Sequence, residues 1–394
     1  MTETANKNRR VVVGLSGGVD SSVAALLLAQ QGYEVHALHM TNWDEDEEGY
    51  CSAAEELQDA RRVCEHLGIP LHHVNFAPEY RERVFEDFLA DYRAGYTPNP
   101  DVLCNREIKF GVFREYARRL GAELIATGHY ARVEHDDPPR LLKGADPGKD
   151  QSYFLHQVAA EALAEALFPL GALTKAEVRR LARDHGLPTH DKRDSTGICF
   201  IGERPFREFL SRYVAADPGP IVDEAGREIG RHHGLPYYTP GQRQGLGIGG
   251  RREAGDAPWY VAARDFAANT LVAVQGSDHP LLYSASLSAG SLHWIGGPPA
   301  ELADGGTLAC SAKVRYRQTD QACSVRRGTG DRVEVRFASP QRAVAPGQFV
   351  VFYQGEVCLG GGRIREAQGM SGHRGLEEAG DGPRTAAHGR RAAS

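Results

Sequence analysis

Lysine is scarce in this chain. Its 46 basic residues comprise 39 arginines and only 7 lysines, and no lysine falls between Lys7 and Lys109. The arginine excess is read first as genomic base composition rather than as a selected RNA surface. Cysteine is also sparse and odd in number: seven residues with no CxxC pair fit neither a disulfide framework nor a structural zinc site, and leave some thiols for chemistry. No apolar run approaches the roughly 18 residues of a membrane span. The start MTETANKNRR passes straight into VVVGL without the apolar core of a signal peptide. The expectation is a cytoplasmic protein with no membrane partner. A net charge of -6 argues against indiscriminate coating of nucleic acid, which depends on neutralising phosphates, but leaves room for a local basic surface.

With 394 residues, 41% of them hydrophobic and 25% charged, the chain has material for about two to four globular domains. Short apolar runs alternate with amphipathic ones: 11–15, 21–31, 34–40, 53–67, 71–76, 79–92, 106–120 and 123–127. That is a βαβα rhythm, and it predicts an α/β domain, a parallel sheet with helices on both faces, over residues 1–215. Helical periodicity returns over 175–185 and 205–213. Beyond Pro218 the texture changes to short β-type runs, including 237–250 and 259–274, which predict a small central β-rich domain over 216–280. Alternating runs between 283 and 365 predict an antiparallel β-barrel over 281–366. The segment 367–394, almost without large apolar residues, is expected to be a disordered tail.

The sharpest local signal is Gly14-Leu15-Ser16-Gly17-Gly18-Val19-Asp20-Ser21-Ser22, placed between a strand and a helix. Glycines admit an anion close to the backbone, and the following helix start offers N–H groups and a positive dipole end. A Walker A loop would end in lysine and this one does not, so neutralisation is expected from backbone, hydroxyls and Mg²⁺. Two further stretches, TPNPDVLCNREIKF with Asn99, Pro100, Asp101 and Cys104, and DSTGICFIGERPF with Cys199, are dense in turn residues ahead of helical runs. A thiol just before a helix N-terminus should have a depressed pKa and be a good nucleophile. The plainer reading, a small buried hydrophobe, stands beside it.

The SGGVDSS loop resembles the pyrophosphate loop of the N-type ATP pyrophosphatases (adenine nucleotide alpha hydrolase-like), and over 11–365 the chain resembles the tRNA-specific 2-thiouridylases. GLSGGVDSSV, HMTNWDE, TPNPDVLCNREIKF, TGHYAR, GKDQSYFL, DSTGICFIGERPFREFL, TPGQRQGLGIGG, VRYRQTD and PGQFVVFYQGEVCLGGG carry the likeness. The resemblance implies ATP held by Gly14 to Ser21 with Met40 and Gly128, and Asp20 organising the metal or the loop. It implies a uridine O2 adenylate, a persulfide on Cys199, and Cys104 attacking that persulfide to leave a Cys104–Cys199 disulfide. Asp101 is then the candidate base for the uridine N3 proton, with an Asx-turn or capping role as the alternative. Partners implied are the tRNA anticodon stem-loop and a persulfide donor such as a cysteine desulfurase or sulfur-relay protein. Asn99, Pro100 and Asp101 would face the target base; His129, Lys149, Asp150 and Gln151, with Arg315, Tyr316 and Gln348 from the barrel, would approach the tRNA. Met40 as a core residue, Tyr316 as a strand residue and Gln348 as a turn residue stay open. So does an iron–sulfur cluster on Asp101, Cys104 and Cys199. The competing function is an RNA-binding protein with a non-catalytic, nucleotide-sensing domain, for which neither the intact loop nor the cysteines would be needed.

Overall fold

The structure is a computed structural model that describes residues 6, 9–43, 52–194, 206–248 and 257–369. Its first sheet takes shape around three consecutive valines. In β1 (Arg10–Gly14), Val11 and Val13 point into one core and Val12 into another, all fully buried. Alternation of side chains across a strand covered on both faces explains the unbroken apolar run. β1 leads into α1 (Val19–Gln30), β2 (Glu34–Thr41), α2 (Ser52–Leu67) and β3 (Leu71–Asn75). A helix over 77–93 and another over 100–119 follow, then β4 (Leu124–Ala126), β5 (Ala131–Glu134), β6 (Arg140–Lys143) and β7 (Ala166–Leu167). The sheet order is β3-β2-β1-β4-β7, all parallel.

One helix differs from expectation in a way that matters for chemistry. The run 106–120 predicts a helix starting at Arg106, yet the helix begins at Pro100, with Asn99 as its extended N-cap. Proline at the first helical position lacks only an N–H that would be unpaired there anyway, so the turn-like TPNPD is a helix start. The middle of this helix, Cys104–Val112, winds as a π-helix, a form that recurs at functional sites.

The central region holds β8 (Gly219–Val222), β9 (Glu228–His232), β10 (Trp259–Asp265) and β11 (Thr270–Gln275), in the order β10-β11-β8-β9. The β-type run expected over 237–250 does not form a strand among its described residues. A short 3-10 turn, Leu235–Tyr237, leads into irregular chain in which Gly241, Gly245 and Gly247 have positive φ, incompatible with a continuous strand.

Six strands, β12 (Tyr283–Trp294), β13 (Thr307–Lys313), β14 (Gln321–Arg327), β15 (Val333–Arg342), β16 (Phe349–Gln354) and β17 (Val357–Gly369), form the barrel, which β12 and β17 close by antiparallel pairing. β17 runs to Gly369, three residues into the segment expected to be tail; 370–394 lie outside the described residues. The barrel is not a separate bead. The β5–β6 hairpin of the first domain extends its sheet, with Leu142 opposite Val357 and Leu141 opposite Cys358. Beside this seam Lys313 Nζ donates to Asp150 Oδ2 at 3.0 Å, with side chains only 10% and 3% exposed. A buried pair of this kind fixes orientation, because separating it leaves an uncompensated charge.

Candidate nucleotide and thiol site

In an open parallel sheet, ligands bind beyond the strand C-termini where the strand order reverses. Here β1 lies between β2 and β4, so the crevice falls at the end of β1, where the glycine loop sits. Gly18 is the N-cap of α1 and makes no side-chain cap bond, which leaves the first turn open to an anion. The loop is braced from beneath: Ser16 N donates to Ser21 Oγ at 3.2 Å, and Ser21 and Ser22 hydroxyls donate to Gly18 O at 3.1 and 2.9 Å. His39 Nδ1 donates to Leu15 O at 2.9 Å. Gly17 has φ +74°, and a Cβ there would lie 2.4 Å from Glu56 O, so α2 backs directly onto the loop. Met40, at the end of β2, packs its tip 3.6 Å from where a Gly14 Cβ would be and is partly covered by core. Gly128 touches α1 itself: its Cβ would meet Ser21 N at 2.9 Å and Asp20 C at 3.0 Å. Gly128→Ala should therefore push the β4 loop off α1 and cost about 1–3 kcal/mol; urea denaturation measures it, and an unchanged midpoint would mean the loop retreats freely.

The glycine loop carries no lysine of its own, but one reaches its Asp20 from a distant segment. Lys175, the first residue of the helix Lys175–Asp184, places Nζ 2.7 and 2.8 Å from the two Asp20 carboxylate oxygens and 2.7 Å from Asp194 Oδ1. Tyr130 OH also donates to Asp20 Oδ1 at 2.9 Å. Asp194 takes two more cations, Lys149 and Arg179, each at 2.7 Å. Burial raises the Asp194 carboxyl, but hydrogen bonds from Lys149 and Lys175 outweigh it and hold its pKa at about 2. Sequence reading missed Lys175, Arg179 and Tyr130, because each reaches the site from a distant segment.

Asp101 and Cys104 stand one turn apart, at i and i+3, near the start of the 100–119 helix. Cys104 is buried at 3% exposure, and its N–H already bonds Pro100 and Asp101 carbonyls. It lies inside the helix rather than just before it, so the helix-end activation expected for it falls away. Asp101 is only partly covered as a residue, but burial of its carboxyl raises its pKa, with the Lys109 ammonium opposing. Lys109, on the same helix, lies 3.5 Å from His129 Nε2, whose Nδ1 is 2.7 Å from Thr127 Oγ1. Burial, then Lys109, holds His129 well below the ordinary histidine pKa, so it is neutral. Lys109 thus acts electrostatically on Asp101 and touches His129, the neighbour in sequence of Gly128, which approaches α1. Cys199 lies outside the described residues.

The residues expected to approach tRNA divide into two groups. Asn99 Nδ2 donates to Gln348 Oε1 at 3.2 Å, and Gln348 Nε2 donates to Thr97 and Pro98 carbonyls, both at 3.0 Å. Asn99 lines a small cleft of about 100 Å³ between the first domain and the barrel, with Arg106, Gln157, Phe349 and Arg363. Pro100 is buried as the helix start. Arg315 is exposed on the turn after β13, and neighbouring Tyr316 lies 4.5 Å, centroid to centroid, from Phe154, so Tyr316 is not a strand residue. Facing inward instead are His129, 7% exposed among Phe110 and Phe168, and Asp150, 5% exposed in the seam with Lys313. Gln151 accepts from Tyr130 N at 2.9 Å, and Lys149 is committed to Asp194. Among the described residues no helix is long and apolar enough to cross a membrane.

A parallel sheet with a glycine loop at its switch point, and a barrel docked beside the start of the carboxylate–thiol helix, is the architecture of an ATP pyrophosphatase-type enzyme. Residues 9–203 match the family described as tRNA methyl transferase HUP domain, 207–275 the tRNA methyl transferase PRC-barrel domain, and 284–364 the aminomethyltransferase beta-barrel domain. The tRNA-specific 2-thiouridylase MnmA of Stutzerimonas stutzeri is 58% identical over 93% of this chain and 97% of its own. That of Methylococcus capsulatus is 60% identical over 90% and 95%. Among solved structures, NMN synthetase from Francisella tularensis is similar at 21% identity, covering 52% of this chain and 79% of that one, with a TM-score of 0.32. The chain belongs to the tRNA-specific 2-thiouridylase family.

Proposed function

We propose that this protein is a tRNA uridine 2-sulfurtransferase that uses ATP to activate the wobble uridine and then places sulfur on C2. The observation that carries the reading is the Asp101–Cys104 pair, a desolvated carboxyl and a buried thiol one helical turn apart, with the Lys109 ammonium acting on the carboxyl. The identity of the relatives supports the same reading. The glycine loop, residues 14–21, holds the phosphates, with Met40 and Gly128 at the nucleotide. The anticodon loop lies against the seam, its target base splayed out as single-stranded RNA is commonly read, with Asn99 and Gln348 beside it and Arg315 and Tyr316 on the barrel side.

Uridine O2 attacks the α-phosphate as Asp101 takes the N3 proton, and pyrophosphate leaves. Sulfur arrives on Cys199 as a persulfide from a donor protein. Its terminal sulfur bonds to C2 as AMP departs, and Cys104 closes on Cys199 as a disulfide that a dithiol reductant reopens. Mg²⁺ would enter on the nucleotide's own phosphates, supplying charge neutralisation. Asp20 in the loop and Asp194 beside it are already engaged by cations, and the described residues contain no group of three or more side chains able to hold a metal. We keep the division into catalytic (1–215), central (216–280) and barrel (281–366) units, and a cytoplasmic setting.

The test is nucleoside analysis of tRNA incubated with the protein, ATP, Mg²⁺ and a sulfur source. It should yield 2-thiouridine at the wobble position with stoichiometric AMP and pyrophosphate. Binding of tRNA with no ATP cleavage would leave the nucleotide-sensing reading instead.

A further inference from the structure

We infer that Arg264 of the central domain is a positioning residue for the adenylation step, fixing the chain that leads into the helix bearing Asp101 and Cys104. The inference rests on the proposed reading of Asp101 as the base for the uridine N3 proton.

Arg264, in β10, is fully buried and is the bulkiest such side chain among the described residues. Taking a guanidinium out of water is costly unless its donors are matched. Its Nη1 donates to Tyr238 O at 3.0 Å, within the central domain, and its Nη2 donates to Gly95 O at 2.8 Å, in the first domain. The planar fork of arginine holds two acceptors at a set separation, which a lysine ammonium on a flexible stem does not. The Phe266 ring, its centroid 5.3 Å from the guanidinium carbon, backs the fork. The same ring would lie 2.8 Å from a Cβ on Gly95, so it closes over the glycine as well.

The setting of Gly95 decides what Arg264 is for. The helix over 77–93 already ends itself: Gly95 N donates to Tyr92 O at 3.1 Å and Tyr96 N to Asp91 O at 2.9 Å, with φ +80° at the glycine. That is a complete Schellman ending, so no arginine is needed to finish the helix. The carbonyl that Arg264 takes belongs to the chain beyond, which runs from Gly95 to the N-cap Asn99 and on to Asp101. The later part of this connector is held from the barrel: Thr97 N donates to Pro346 O at 2.8 Å, and the Thr97 and Pro98 carbonyls accept from Gln348 Nε2. A Cβ on Gly347 would stand 2.7 Å from Thr97 N, so barrel backbone lies directly against it. Arg264 supplies the matching hold at the connector's beginning. A fixed lead-in matters because the Asp101 carboxyl must meet a proton on a separate molecule, and a displacement of about 1 Å at reacting groups can cost about 10²-fold in rate.

The experiment follows single-turnover pyrophosphate release by the full-length protein with tRNA over a range of ATP concentrations, beside urea denaturation. In Arg264→Met the rate at saturating ATP should fall about ten- to a hundred-fold. The ATP concentration giving half that rate should stay within about two-fold, because the glycine loop is built between β1 and α1. Phe266→Ala removes the ring behind the fork at a residue 38% exposed; it should show the same loss in smaller measure and carries the test if the methionine variant does not fold. A role confined to stability would lower the urea midpoint and leave the rate of the folded protein unmoved. The parent rate in a folded Arg264→Met or, where that does not fold, in Phe266→Ala overturns the inference and leaves the adenylation reading intact, as does a loss that falls on ATP affinity instead. Failure of the parent protein to release pyrophosphate in the presence of tRNA overturns both.

Discussion

Asp101→Asn should lower uridine adenylation by about 10²- to 10⁴-fold and leave the protein at least as stable as its parent at neutral pH. The two outcomes come from one cause. Burial raises the Asp101 carboxyl above its ordinary value, and the Lys109 ammonium only partly opposes it. A carboxylate with a raised pKa is a stronger base toward the N3 proton, and it is also a charge the fold would rather not hold. The folded state therefore binds this proton more tightly than the unfolded one. The resulting stabilisation is fully present below the ordinary carboxylate pKa and is lost as pH rises through the raised folded value. At neutral pH the parent carries the cost of a desolvated carboxylate, which an amide removes. AMP formation in the parent should rise with pH through the raised pKa and then level, whereas the amide variant should have no such limb. An Asn variant that retains the acid limb and unfolds at lower urea would make Asp101 a residue of the helix start and nothing more.

What could be read directly from the sequence was whatever local periodicity and local chemistry encode. The run of valines in β1 announces a strand buried on both faces, and the SGGVDSS loop lies between β1 and α1 as its strand–glycine–helix pattern demands. Pairings between distant segments leave no such trace. Lys175 meets Asp20 across 155 positions and Lys313 meets Asp150 across 163; nothing around Lys175 in GALTKAEV distinguishes it from a solvated lysine at a helix start. The β5–β6 hairpin is four residues a strand, too short for alternation to show that it would extend the barrel sheet. His129, in TGHYAR, looks like a polar loop residue until its neighbours Phe110 and Phe168 close over it. Asp150 in GKDQ likewise turns inward only because the barrel brings Lys313 to it. At Pro100 the local signal itself misled, since proline and asparagine suit a turn and a helix start equally well.

The revised position of Cys104 sharpens the second large effect. Cys104→Ser should reduce formation of 2-thiouridine by about 10³-fold or more, the scale on which loss of a nucleophile is felt, while the first adenylation still releases pyrophosphate. In the proposed sequence Cys104 acts after adenylation, so ATP use and tRNA binding do not depend on its sulfur. Cys199 then retains its persulfide, and mass spectrometry of the trapped protein should find that residue one sulfur heavier. Packing is a separable concern: Cys104 is 3% exposed within the hydrophobic core, and a hydroxyl placed there without a partner costs about 1–3 kcal/mol. Cys104→Ala removes that concern, because a buried cysteine packs as a small hydrophobe, and it should show the same accumulated persulfide with a smaller loss of stability. Because Cys104 sits inside the helix, its N–H committed to Pro100 and Asp101 carbonyls, its reactivity has to come from side chains around it rather than from the helix end. Lys109, on the same helix, is the cation that acts on the neighbouring Asp101 carboxyl. Lys109→Met should accordingly slow sulfur transfer as well as adenylation, whereas Cys104→Ser slows only the first. Normal turnover in the serine and alanine variants, with no persulfide retained on Cys199, would remove Cys104 from the reaction.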